Sequence, residues 1–323
     1  MTLALIAFAS LLAALWAFTA IQTWRIERRY PAVGKKVGVG GGAVHVVERA
    51  ASGEARGAAL LIHGASGNFA DMSVALAERL SANGFRVLSV DRPGHGWSER
   101  IVGRDAASPG RQAEMVRRAA EQLGVGEAIV VVHSVAGLTG LAMALDAPRF
   151  VRALVLIAPV SHPWPGGVAW YYTLGAHPLL GPPFRRLLAL PLGLARMRAG
   201  LARVFAPNRA PSEFVQATRV PLVLRPLHFR FNCEDVVNAV ASVVALSPRY
   251  GAIRAPTEIV AGDCDGVVST RIHASGCARD IPGARLTILD GVGHSPHHTA
   301  ADRVVEIVLD AERRASKRAP EAA

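Results

Sequence analysis

The chain has 323 residues, 51% of them hydrophobic and 19% charged, with a formal net charge of +11. This length and apolar fraction suit one large α/β domain with an insertion, or two small domains, and exclude an intrinsically disordered chain. The basic residues gather at 25–29, 35–36, 185–209 and 313–318 without a stripe of interleaved aromatics, so no nucleic-acid partner is expected.

No charged side chain occurs between Thr2 and Thr23, and the stretch from Leu3 to Phe8 opens a nearly unbroken apolar run. About twenty such residues cross a bilayer as a helix. The basic n-region and short apolar core of a cleaved signal peptide are missing. Arg25, Arg28, Arg29, Lys35 and Lys36 follow the run instead, with Trp16 and Trp24 placed to sit at an interface. Residues 1–24 therefore read as a single-pass transmembrane anchor and 25–42 as a basic linker. The positive-inside rule puts the rest of the chain on the cytoplasmic side, with the periplasm as the other orientation. Cys233, Cys264 and Cys277 are odd in number and lack disulfide or zinc spacing, which fits a reducing compartment.

The first part of the body, 43–159, alternates strands and helices. Strands are expected at 44–48, 58–62, 87–90, 129–132 and 153–157. Helices are expected at 72–80, stopped by Asn83-Gly84, at 111–123, stopped by Gly124, and from the end of the fourth strand to Leu145. The alternation halts at Pro159. Residues 160–250 are rich in Pro, Arg, Leu and Trp, with helical stretches at 192–204 and 234–246, and read as an inserted helical cap. The alternation resumes in 251–316, with strands at 257–261 and 285–289 and helices near 270–277 and at 300–315. Residues 317–323 read as a tail. Such an order predicts a mostly parallel twisted sheet with helices on both faces.

The chemistry centres on the end of the 129–132 strand, where Val132-His133-Ser134-Val135-Ala136-Gly137 passes from apolar strand to small-residue helix. A sharp turn there would lift the Ser134 hydroxyl above the sheet. Serine is a poor nucleophile without a base, itself oriented by an acid. Two later loops, Gly262-Asp263-Cys264-Asp265-Gly266 and Gly291-Val292-Gly293-His294-Ser295-Pro296, each follow an expected strand. Loops at the carboxyl ends of parallel strands converge above the sheet. Two more motifs precede them, His63-Gly64-Ala65-Ser66-Gly67 and Asp91-Arg92-Pro93-Gly94-His95-Gly96-Trp97-Ser98.

Taken in order, these five motifs resemble the α/β-hydrolase superfamily, in its capped esterase and lipase-like branch. The resemblance covers 58–160 and 257–311 and leaves the cap and the N-terminal helix unmatched. It implies that Ser134 is the nucleophile, His294 the general base and later acid, and Asp265 the orienting carboxylate, with Asp263 as competitor. It also implies an oxyanion hole from the backbone N–H groups of Ala65 and Val135, with Ser66 as the other donor to consider. His63, His95 and His133 are expected to brace loops, Asp91 and Ser98 to bond within their own loop, and Arg92 either to do likewise or to face the cap. His297 and His298 are expected at the surface. One position departs from the family's G-x-S-x-G spelling by its bulk: Val132 must find room beneath the turn, whereas Ala136 is small enough.

A serine at 134 points to acyl transfer on an ester, thioester or amide of a small hydrophobic substrate. Aromatic and aliphatic cap residues such as Trp164, Trp170, Tyr171, Tyr172 and Phe184 favour an apolar pocket. C–C bond hydrolysis and cofactor-free perhydrolysis use the same three residues and stay open. So does a catalytically silent, membrane-tethered binding protein. No metal-ligand cluster or nucleotide loop is visible, so neither metal nor cofactor is expected. The arginines of 185–203 could rest on anionic lipid beside the anchor.

Overall fold

The uncharged N-terminal run becomes one helix, α1 (Thr2–Arg29), and its most apolar stretch is only 6% buried against the rest of the molecule. The computed structural model describes residues 2–100 and 105–318. At 1.5 Å per residue α1 is about 42 Å long, enough to cross a bilayer. Two expectations need correction here. The helix does not stop at residue 24, and 25–42 is not a free linker. Ile26 and Tyr30, one turn apart, both bury their side chains, and cationic Arg28 and Arg29 suit the negative end of the helix dipole. Beyond it, β1 (Lys35–Gly38) pairs antiparallel with β2 (Ala43–Arg49).

The remaining strands are β3 (Gly57–Ile62), β4 (Phe85–Val90), β5 (Ala128–His133), β6 (Val151–Ile157), β7 (Thr257–Gly262) and β8 (Arg285–Leu289). They form one sheet in the order β1-β2-β4-β3-β5-β6-β7-β8. β2 meets β4 antiparallel, and every later pair is parallel. The near-continuous apolar spelling of β5 follows from burial on both faces. Val130 and Val132 join one core layer, Ile129 and Val131 the other. Each such fully buried branched side chain stabilises the fold by roughly 1.5–3 kcal/mol.

The second face is covered in part by α2 (Phe69–Met72), a π-helical turn (Ser73–Ala77) and α3 (Glu78–Ala82), which run on without a break, and in part by the C-terminal helix. The first face is covered by α4 (Pro109–Gln122) and α5 (Ala136–Asp146). Asn83 and Gly84, with Gly84 at φ +86, end α3 at the expected stop. Between β6 and β7 lies the cap: α6 (Trp170–Ala176), α7 (Gly181–Phe184), α8 (Leu190–Phe205), α9 (Phe214–Ala217) and α10 (Pro226–Leu246). α10 starts eight residues earlier than expected because Pro226 suits a first helical turn. Then come α11 (Ala274–Asp280), α12 (Pro296–Thr299) and α13 (Ala301–Arg318). α11 begins later than expected, and Thr270 instead donates its hydroxyl to the Gly262 carbonyl at 2.6 Å. α13 runs on through the first residues of the expected tail, whose last five lie outside the described residues.

The cap has its own apolar centre, in which Phe184, Leu190, Leu222 and Phe229 pack with Ile26 and Tyr30 of the N-terminal segment. Buried charge ties it to the sheet. Asp235 of α10 accepts from Arg92 and Arg100, each at 2.7 Å. Arg92 thus faces the cap, one of its two expected alternatives.

Candidate active site

Ser134 sits where β5 turns into α5, at φ +55. A non-glycine residue pays about 1 kcal/mol or more for that left-handed conformation, so surrounding bonds must hold it. The Ser134 N–H donates to Ile157 O at 3.0 Å, and Ser134 O accepts from Gly137 and Val160 at 2.8 and 2.9 Å. Space is tight: a Cβ on Gly64 would stand 2.9 Å from that of Ser134. The question of Val132 has a local answer. Its side chain is fully buried, and a Cβ on Gly140 would lie 3.0 Å from both its methyl groups. The room missing at 132 is supplied from α5, one turn into the helix.

His294 presents Nε2 to the Ser134 hydroxyl at 3.0 Å and Nδ1 to Asp265 Oδ2 at 2.7 Å. Because a carboxylate only accepts, Nδ1 carries the proton and Nε2 is left as the acceptor facing serine. The other oxygen of Asp265 accepts from the Val267 and Val268 N–H groups at 2.8 and 2.9 Å, which fixes the carboxylate. Asp263 is exposed and spends its Oδ1 on the Gly291 N–H at 2.8 Å. It staples the histidine loop and does not meet the histidine ring. Among the described residues, the Ala65 and Val135 N–H groups donate to no backbone oxygen. Ser66 N–H is engaged by Asn232 Oδ1 of α10 at 2.7 Å. An arrangement of this kind can move a proton from serine to imidazole and leave two N–H groups for developing negative charge.

The bracing residues behave as their loops require. His63 donates from Nδ1 to Gly64 O at 2.8 Å and accepts the Arg92 N–H at Nε2, at 3.0 Å. Burial first, then the nearby Arg92 charge, push its pKa down to about 4, so the ring is neutral. Ser98 donates to Asp91 O at 2.7 Å, and the Asp91 carboxylate accepts from Trp97 N–H within the same loop and from Phe69 N–H outside it.

His297 and His298 are buried rather than at the surface. The α12 turn folds them onto Asp71 of α2, whose carboxylate takes His298 Nε2 at 2.9 Å and stands 3.4 Å from His297 Nε2. His133 completes the cluster, its Nε2 donating to the His294 carbonyl at 3.0 Å while Nδ1 stands 3.8 Å from Asp71. Burial pushes the His133 and His297 rings down. It pushes Asp71 up, but His297 and His298 outweigh that and leave its carboxyl well below the usual range. Ligand atoms of Asp71, His133 and His297 lie within 4.8 Å of one another, so these are the described residues that can hold a metal ion. With their present partners they brace the histidine loop from behind. Nothing local in the sequence marks Asp71 for this role.

The cap holds the same loop from the front. Asn208 donates to Gly291 O at 2.9 Å and accepts from Gly293 N–H at 3.0 Å, and His294 N–H points to Val204 O at 3.3 Å. Gly293 is needed there, since a Cβ would fall 2.2 Å from Ala206 O. Tyr172 is half-buried beside Ser66 and Tyr171, and desolvation, more than its neighbours, pushes its phenol up.

A family model described as the alpha/beta hydrolase fold matches residues 59–301. The 30 kDa subunit of magnesium chelatase from Rhodobacter capsulatus is 31% identical over 257 residues, covering 78% of this chain and 85% of that protein. A 2-hydroxy-6-oxononadienedioate/2-hydroxy-6-oxononatrienedioate hydrolase from a Pseudomonas species is 25% identical over 228 residues, covering 70% and 77% of the two chains. Among solved structures, a thermophilic esterase from Thermogutta terrifontis superposes with a TM-score of 0.65 at 18% identity, covering 88% of this chain and 99% of the other.

Proposed function

We propose, since the chain belongs to the α/β-hydrolase family, that it is a serine hydrolase cleaving an ester, thioester or amide of a hydrophobic substrate through an acyl-enzyme. The observation that carries this reading is the continuous relay from Ser134 through His294 to Asp265, at 3.0 and 2.7 Å. In this mechanism Ser134 Oγ attacks the carbonyl carbon while its proton passes to His294 Nε2. The oxyanion is held by the N–H groups of Val135 and Ala65, and Asp265 stabilises the imidazolium. Collapse breaks the bond to the leaving group, which takes the proton from His294. Water, deprotonated by the same ring, then attacks the acyl carbon and frees Ser134.

We place the domain on the cytoplasmic side of a membrane, tethered by α1, on the strength of its length and mean hydropathy of 2.2 and the basic residues at its end. A reporter fused to the C-terminus tests the side. The relatives include both an esterase fold and a C–C bond hydrolase, so the chemistry at the carbonyl is tested directly. Wild type is expected to label with a fluorophosphonate and to hydrolyse nitrophenyl esters of medium acyl chains. Ser134→Ala is expected to lose both by at least about 10³-fold while remaining folded. A folded wild type that neither labels nor hydrolyses sinks the enzyme reading. Turnover of a vinylogous diketone but not of esters moves it to C–C hydrolysis.

A second reading rests on the Rhodobacter capsulatus relative: the chain serves beside a magnesium chelatase. Deletion should then lower magnesium chelation in the host, and restoration by Ser134→Ala as fully as by wild type would favour this role over catalysis at Ser134.

A further inference from the structure

The end of α1 is bolted to the body by several independent bonds. Arg225 pairs with Glu27 at 3.2 Å and also donates to Gly96 O; Trp97 donates its indole N–H to Tyr30 O at 3.1 Å; Arg219 donates to Pro31 O at 2.9 Å. Beside this junction, between the last two turns of α1 and the cap elements α8 and α9, runs a groove of about 670 Å³. That is the size of a small-molecule site. Its polar wall carries the guanidinium groups of Arg25, Arg29 and Arg198, and its apolar wall is built from Ile26, Leu194 and Met197. Glu213 is the single carboxylate in the lining.

Among the described residues Arg25 and Arg198 have neither a hydrogen-bond nor an ion-pair partner, while Arg29 donates to the neutral Gln216 at 3.0 Å. Two unspent guanidinium groups flank a cleft that already excludes part of the solvent. Such groups match a phosphate bidentately and are more weakly hydrated than lysine. The groove also lies at a defined height. The uncharged span of α1 from Thr2 to Thr23 is about 33 Å long, close to the thickness of a bilayer's hydrocarbon core, so Gln22 to Arg29 fall at the headgroup layer. The cap exposes Leu188 and Leu192 within residues 185–205, a stretch that packs against α1.

We propose that this groove binds the headgroup of an anionic phospholipid, its phosphate between Arg25 and Arg198 and its glycerol and upper acyl carbons along Ile26, Leu194 and Met197. The proposal rests on the reading of α1 as a membrane anchor. It gives the cap a fixed lipid contact and a function for arginines that the hydrolytic reading leaves unused.

Native mass spectrometry of the full-length chain released from detergent, equilibrated with equimolar phosphatidylglycerol and phosphatidylcholine, tests it. Retention of one phosphatidylglycerol per chain is expected, preferred about tenfold over phosphatidylcholine. The preference should vanish in Arg25→Gln/Arg198→Gln. Equal retention of the two lipids, or an unchanged preference in the double variant, overturns the proposal. So does displacement of the bound lipid by millimolar glycerol 3-phosphate, which would assign the groove to a soluble phosphate ester. Flotation with pure phosphatidylcholine vesicles separates the two readings: a chain that does not float loses the anchor itself. One that floats without lipid preference loses the groove alone. Since both arginines are exposed at the groove, the double variant is expected to fold, and its melting temperature checks that.

Discussion

At Val132 and Gly140 the bulk of one residue is matched to the absence of a side chain in the other. Val132→Gly, which restores the glycine usual at that position of the turn, is therefore expected to hurt. It removes a fully buried side chain and frees the backbone, at a cost of about 2–3 kcal/mol in urea denaturation. The rate of fluorophosphonate labelling should change by no more than a few-fold. A stabilised variant, or one that labels far faster, would mean that the valine strains Ser134. The three residues expected to act together are the ones the fold brings within hydrogen-bond distance, because each stands in a short motif at the end of a strand. Asp71, Asn208 and Asn232 escaped notice for the opposite reason. Each acts across more than eighty residues of sequence, from a stretch whose local spelling is unremarkable.

Among elements, the cap is the part that sequence periodicity located but could not place. Its expected limits near 160 and 250 rest on the break in strand-helix alternation. The bonds that seat it depend on pairs such as Arg92 with Asp235, which no spacing rule connects. That pair is almost fully buried, with Arg100 on the carboxylate's second oxygen. Removing the acid would leave two guanidinium groups without compensation in a dry site. Asp235→Ala is thus expected to lower stability by about 3–5 kcal/mol and to open the cap segment to limited proteolysis ahead of the sheet. A loss below about 1 kcal/mol would show that water reaches the arginines readily. The N-terminal helix was legible as an apolar span, but not its last turn, since only the folded cap reveals where Ile26 and Tyr30 go.

For the whole molecule, acid is the expected weakness. Burial is the leading cause that pushes His63 and His273 down to about 4 from an ordinary 6.5. Between those values the unfolded chain binds protons that the folded chain refuses, so stability is fully present above pH 6.5 and is lost as pH falls toward 4. Each histidine can contribute on the order of 3 kcal/mol across that window, and the high positive charge of the chain acts in the same direction. Denaturant titrations at pH 7.5 and pH 5 should show a clear drop in unfolding free energy. A flat profile would mean that these rings are hydrated in solution. The junction at Glu27, Arg225 and Trp97 has a further consequence. A catalytic domain on a flexible leash sweeps a volume above its membrane and can meet substrate in any orientation. Here, under the proposed anchoring, the leash has no length. The domain would keep one height and one tilt, its search would be confined to lateral diffusion, and its encounter rate would scale with substrate per unit area of bilayer.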